Sequence, residues 1–336
     1  MLLLTIQLVS GLKPFIIAGV VGCTSVPFFC AAIGWRILAS FSVSERTRVM
    51  VDDMMYSIYQ RFLLLFFENV SGVELILYSA AETDANEKAL YICNHQSSFD
   101  WAVFDMLAIR QNRLGSLRYI LKDSLQYLPL YGWYFFATSL VLFPEGTRFH
   151  PSKRQDIAKS RQLAIEADVM PPQKTLLPRF RGMHLMVENL GDAFDAVYDV
   201  TIVYECVGQQ GEERLLAPGL FEVVCGSAFY KIHVHVDRIP MYLVPRNERS
   251  LKRWLYGRFA VKDNAIRNFL DNGAPFAERS VVCKPIVLME TLPSALLLSA
   301  ATVALLCTSK GRRFFVSVWT LGSLTCLLSM KLRQVA

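Results

Sequence analysis

Charge is scarce in this chain, and scarcest near its two ends. Only 19% of the 336 residues are Asp, Glu, Lys or Arg, against 53% hydrophobic, a balance that argues against an ordinary soluble enzyme and for a membrane-associated one. The first 35 residues hold a single charged side chain, Lys13, and residues 14–35 form an uncharged run of 22. A helix needs roughly 17 to 25 such residues to cross a bilayer. A basic start is missing as well: residues 1–12 contain no Lys or Arg, which speaks against a cleaved secretory leader. Pro14, Gly19, Gly22 and Pro27 fall inside the run, so a re-entrant or two-piece arrangement is the alternative to one span.

Other absences narrow the chemistry. The eight cysteines include no Cys-x-x-Cys pair and no histidines at zinc spacing, so neither a disulfide framework nor a metal is expected. The chain has no Gly-x-Ser-x-Gly elbow, which disfavours a hydrolase built around one. It also has no internal repeat and no low-complexity tract. The net charge of +6 is mild. It suits anionic lipid headgroups or a phosphorylated substrate and asks for no nucleic acid.

What is present divides the chain into three. Residues 1–45 read as an N-terminal membrane anchor, with Arg36, Arg46 and Arg48 placing its following end on the cytosolic side. Residues 286–336 read as a membrane hairpin, because uncharged runs at 291–309 and 314–330 are separated by the basic turn Lys310, Gly311, Arg312, Arg313. The chain is therefore multi-pass or partly monotopic. Between the ends, residues 46–285 alternate short apolar runs with helical ones, the pattern of an α/β sheet covered by helices. Strands are predicted at 73–77, 89–93, 117–121, 140–143, 200–204 and 231–236, and helices at 98–109, 155–167 and 183–196. Residues 246–272 form a basic helix with Leu251, Trp254, Leu255 and Phe259 on one face, suited either to a membrane surface or to packing on the sheet. His233, His235 and Asp237 alternate along the last strand, as on any half-solvated strand. Asn69-Val70-Ser71 matches a glycosylation triplet in an apolar setting, where a chance match is the better reading.

Two stretches carry the chemistry. The strand at 89–93 runs into Asn94-His95-Gln96-Ser97-Ser98-Phe99-Asp100 and then a helix. His95 and Asp100 thus sit at a strand-to-helix turn, where open α/β sheets bind ligands. An imidazole with a nearby carboxylate is the layout of a general base with its orienting acid. An ordinary helix start capped by Ser97 or Ser98 is the competing reading. The second stretch, Phe143-Pro144-Glu145-Gly146-Thr147-Arg148, also ends a strand. Its glycine allows close backbone approach, and Arg148 offers a planar fork for phosphate.

Together, Asn-His-x-x-x-x-Asp and Phe-Pro-Glu-Gly-Thr-Arg resemble the glycerolphosphate and acylglycerolphosphate acyltransferase family. The likeness continues through Lys122, Pro129 and Gly132 and through Leu177-Pro178-Arg179, and is nearest to the family's epsilon type. The resemblance implies an acyltransferase moving an acyl chain from acyl-CoA to the sn-2 hydroxyl of 1-acylglycerol 3-phosphate or another lysophospholipid. It implies His95 and Asp100 as the catalytic pair, with Asn94, Lys122, Glu145, Gly146, Thr147 and Arg148 around the substrate. No cofactor is implied beyond acyl-CoA as substrate. The resemblance also implies a lipid bilayer as partner, at the endoplasmic reticulum with mitochondria or the nuclear envelope as alternatives. One feature departs from the family: Asp100 and Glu145 are 145 − 100 = 45 positions apart, and the segment carrying the second motif is missing. That departure motivates the alternative of a catalytically impaired, splice-like form acting as a membrane interaction protein.

Overall fold

The computed structural model describes residues 2–79, 87–119, 139–226, 228–273, 276 and 279–335. At its centre lies a seven-stranded sheet in the order β3-β4-β2-β5-β6-β1-β7. The strands are β1 (Glu74–Ser79), β2 (Ala89–Cys93), β3 (Leu117–Tyr119), β4 (Ser139–Leu142), β5 (Ala196–Cys206), β6 (Tyr230–Pro240) and β7 (Ser280–Val282). From β3 to β5 every pairing is parallel; β5 and β6 are antiparallel, β6 and β1 parallel, and β1 and β7 antiparallel. Four neighbouring parallel strands put their carboxyl ends on one edge, so loops 94–99 and 143–148 emerge side by side.

Helices cover both faces; α4 (Arg154–Glu166) follows the 143–148 turn, and the short α6 (Leu220–Cys225) adds Val223 and Val224 to the core. On one face, α2 (Glu45–Leu64) and α3 (Asp100–Arg110) bury Tyr56, Tyr59, Phe62, Val103 and Phe104 against the sheet. On the other, α5 (Phe180–Leu190) and α7 (Glu248–Asn272) bury Met183, Val187, Leu251, Leu255 and Phe259 over Leu90, Ile92 and Val197. Alternation along β2 explains the split, since Ala89 and Cys93 belong to the first core and Leu90 and Ile92 to the second. The basic helix therefore packs on the sheet. Its Lys262 is buried, with its ammonium paired to Asp199 on β5.

Burial also revises the reading of the last strand. His233 is 5% exposed. It lies between the Tyr78 hydroxyl, 3.0 Å from Nδ1, and the Glu205 carboxylate, 2.9 Å from Nε2. Helix α7 covers this part of the strand through Phe269. Asp237 pairs with Arg258, and no metal-ligand cluster occurs among the described residues.

Several elements differ from those expected. The helix predicted at 183–196 ends at Leu190, because a short turn at 191–193 returns the chain to the sheet. Residues 196–200 then pair in register with β2, a long-range partner that local periodicity does not reveal. Strand β7 was not expected, since its three residues are all exposed at the sheet edge.

At the amino end, α1 (Leu2–Ser42) is continuous through Pro14 and Pro27, so the two-piece arrangement does not form. Residues Leu12–Phe41 and α8 (Leu288–Cys307) are each long and apolar enough to cross a membrane. Helix α8 packs against α1 and α2. The Glu68 carboxylate fastens this packing by accepting from Arg110 and from the Ile286 N–H, while the Asn69 amide is taken up by Ile286 and Thr291. Only Thr308 separates α8 from α9 (Ser309–Val335), so the basic residues 310–313 lie in the first turn of a helix and not in a loop.

Candidate active site

Loop 94–99 is held from below and from both sides. Asn94 is fully buried; its amide donates to the Ile202 carbonyl and its carbonyl accepts the Ile202 N–H, both at 2.9 Å. Both ends of the side chain are thus bonded to β5, and Asn94 fixes the loop to the sheet. His95 comes next, with its ring stacked on Phe143 at 4.5 Å between centroids.

His95 Nδ1 lies 2.7 Å from Asp100 Oδ2. With the Asp100 carboxylate as acceptor, Nδ1 is the donor, and a neutral imidazole in that tautomer has its lone pair on Nε2. Asp100 is itself fixed: Oδ2 also accepts the N–H groups of Gln96 (2.8 Å) and Ser97 (3.0 Å), and Oδ1 accepts the Tyr204 hydroxyl (2.6 Å). Asp100 is fully buried while the His95 side chain is 24% exposed, so the pair presents one imidazole edge to the outside. A plain capped helix start does not account for this. The residue preceding α3, Phe99, makes no side-chain cap, and the Ser97 hydroxyl turns inward to the Pro218 carbonyl.

The second motif locks onto the first through the backbone. The Phe149 N–H donates to the His95 carbonyl at 2.7 Å, and the Glu145 carboxylate accepts the His95 N–H. Its other oxygen accepts the Leu176 N–H at 2.8 Å. Glu145 is 2% exposed, and burial pushes its carboxyl up to about 8 against the pull of those two donors. Glu145 therefore orders the His95 backbone and the 176 loop. Gly146 has φ +70, a conformation that side chains rarely adopt. Thr147 accepts from the Lys153 ammonium at 2.9 Å, and Arg148 is half-buried at the end of the turn. Lys122 lies outside the described residues.

Sequence reasoning missed three contributors. Tyr204 gave no signal beyond its place in an apolar strand, yet it donates to Asp100. Leu176 contributes only a backbone N–H, which no residue type announces. Asp263, on α7, accepts the N–H groups of Gln173, Lys174 and Thr175 at 2.9, 2.6 and 3.0 Å and thereby shapes the loop that meets Glu145. The amides of His95, Gln96, Ser97 and Phe99 are taken up by Glu145, Asp100 and the Ser97 hydroxyl, which fixes the path of the loop.

Comparison with known proteins identifies the family. The acyltransferase family matches residues 74–141, and the acyltransferase C-terminus family matches residues 222–297. The mouse protein named 1-acyl-sn-glycerol-3-phosphate acyltransferase epsilon is 34% identical over 325 residues, covering 86% of this chain and 88% of its own length. A probable 1-acyl-sn-glycerol-3-phosphate acyltransferase 5 of Arabidopsis thaliana is 30% identical, covering 62% of this chain and 60% of its own. Among solved structures, the 1-acyl-sn-glycerophosphate acyltransferase PlsC of Thermotoga maritima aligns with a TM-score of 0.38 at 11% identity, over 77% of this chain and 97% of that one. On the extent and identity of the mouse match, this chain belongs to the 1-acyl-sn-glycerol-3-phosphate acyltransferase family, and it is an acyltransferase.

Proposed function

We propose that the protein transfers an acyl chain from acyl-CoA to the sn-2 hydroxyl of 1-acylglycerol 3-phosphate, giving phosphatidic acid and free CoA. The observation that carries the reading is the imidazole of His95 held 2.7 Å from a buried carboxylate that is itself gripped by three further donors. A secondary alcohol is a poor nucleophile, and a base that removes its proton in the transition state contributes about 10² to 10⁴-fold. His95 Nε2 takes that proton while the hydroxyl oxygen attacks the thioester carbonyl. Asp100 holds the tautomer and stabilises the imidazolium, which returns the proton to the departing CoA thiolate. Arg148 binds the acceptor phosphate. No further cofactor enters, because the thioester already carries the activation.

The two apolar helices would keep the enzyme at a bilayer where its lipid acceptor resides, and the endoplasmic reticulum membrane is the proposed location. The alternative of an impaired interaction protein drew on the short connection between the motifs. The backbone bonds that tie residue 149 to 95 and residue 145 to 95 support the active reading instead. The test is acyl transfer in membranes containing the full chain, with product identified by its acyl chains. Wild-type activity with a loss of 10²-fold or more in His95→Ala, at equal protein level, is expected. Retained activity in that variant would remove His95 as the base.

A further inference from the structure

We propose that Arg179 is a second phosphate-binding side chain of this site, sharing the acceptor's phosphate monoester with Arg148. The proposal rests on the acceptor assignment above. Arg179 immediately precedes α5, and its backbone N–H donates to the Pro144 carbonyl at 2.7 Å, which ties the 176–179 segment to the 143–148 turn. Its guanidinium lies over Gly146. A Cβ built on that glycine would meet Nε, Cζ and Nη1 of Arg179, each at 3.2 Å, so the planar group faces the glycine broadside. The left-handed backbone at Gly146 and the absence of a side chain there open the space that the guanidinium occupies.

The charges around the turn favour an anion. Arg179 is exposed and Arg148 half-buried, and among the described residues neither has an acidic partner. The nearest carboxyl in sequence, Glu145, is turned inward onto two backbone N–H groups. Lys153 adds a third cation on Thr147, with Asp156 3.9 Å away as its counterion. A phosphate monoester carries about 1.5 to 2 negative charges near neutral pH, more than one guanidinium balances. Two planar forks, one ending the turn and one lying over it, meet that demand, each able to give paired N–H···O bonds. The turn is bonded to the His95 N–H and carbonyl, so a phosphate held there keeps the rest of the acceptor beside the imidazole.

The test uses the full chain in membranes, with 1-acylglycerol 3-phosphate and acyl-CoA varied in turn. In Arg179→Ala the KM for the acceptor should rise about tenfold or more, while the KM for acyl-CoA stays within about twofold, and Arg179→Lys should recover part of the loss. Inorganic phosphate, competing with the acceptor, should inhibit the wild type about tenfold more tightly than Arg179→Ala. An unchanged acceptor KM would overturn the proposal. So would a matching rise for acyl-CoA, which would assign Arg179 to the phosphates of the donor. A fall in kcat with a lowered unfolding midpoint and unchanged phosphate inhibition would make the residue purely structural and also overturn it. A wild type that transfers no acyl chain to this acceptor would instead defeat the functional reading, and the proposal with it.

Discussion

The buried carboxylate of Glu145 receives the backbone N–H of His95, so the second motif positions the first through main chain and not through substrate. Its other oxygen receives the Leu176 N–H at 2.8 Å. A carboxyl keeps a lone pair on both oxygens whether or not it is ionised, whereas an amide nitrogen has none to offer. Glu145→Gln should therefore leave one buried N–H without an acceptor, at a cost of about 1 to 3 kcal/mol. The expected outcome is a lower unfolding midpoint together with a drop of about tenfold or more in kcat/KM. Wild-type kinetics in this variant would show that His95 needs no such support.

Tyr204 offers a subtler test of the same centre. Its hydroxyl donates to Asp100 Oδ1 at 2.6 Å, and Tyr204→Phe removes that bond while leaving the ring in the core. Bonds to charged groups contribute about 1.5 to 3 kcal/mol, so kcat should fall about 10- to 150-fold if the bond's full worth reaches the transition state. Both KM values should stay near their original levels. A kcat equal to wild type would mean that Gln96, Ser97 and His95 hold Asp100 without help.

Asp263 is a remote residue with a local consequence. Asp263→Ala strands three consecutive N–H groups, at 173, 174 and 175, and should lower both stability and activity. Asp263→Asn can keep an accepting oxygen toward them and should retain most of both. If Ala and Asn behave alike in thermal unfolding and in rate, the accepted N–H bonds are not what organises the loop.

Stability should depend on pH through Asp105. This side chain is fully buried on α3; Oδ1 accepts the Tyr119 hydroxyl at 2.8 Å, and burial pushes the carboxyl from 3.8 up to about 8. A raised acid binds its proton more tightly folded than unfolded. Its contribution is thus complete below about pH 4, declines as the pH climbs, and is gone above about pH 8. Asp105→Asn should flatten the corresponding fall in unfolding midpoint between about pH 4 and pH 8. A slope identical to wild type would place the pH dependence elsewhere, with Glu145 the next group to examine.

The sequence showed most of the sheet because its strands are short apolar runs bounded by polar turns. Five predicted strands lie within or almost within observed ones, and β3 matches over the described residues. Boundaries failed where pairing partners are distant, as at the amino end of β5, or where no hydrophobic face exists, as at β7. The basic helix was ambiguous for a related reason. Its apolar stripe fits a bilayer surface as well as a sheet, and only the pairing of Lys262 with Asp199 and the burial of Leu251 and Leu255 distinguish them.

At the site, the sequence by itself determined the candidate groups: an imidazole five positions from a carboxylate at a strand end, and an arginine closing a glycine turn at another. Residue type and spacing convey that much because the pair lies within one loop. Tertiary structure decided which groups support them. Parallel pairing of β2 with β4 and β5 brought Glu145, Ile202 and Tyr204 against residues 94–100, and the approach of Leu176 and Arg179 to the turn followed from the packing of α5 and α7 on the far face. These supports act through backbone groups or across more than 30 positions of chain, and local pattern has no means of encoding contacts that exist only once the sheet has assembled.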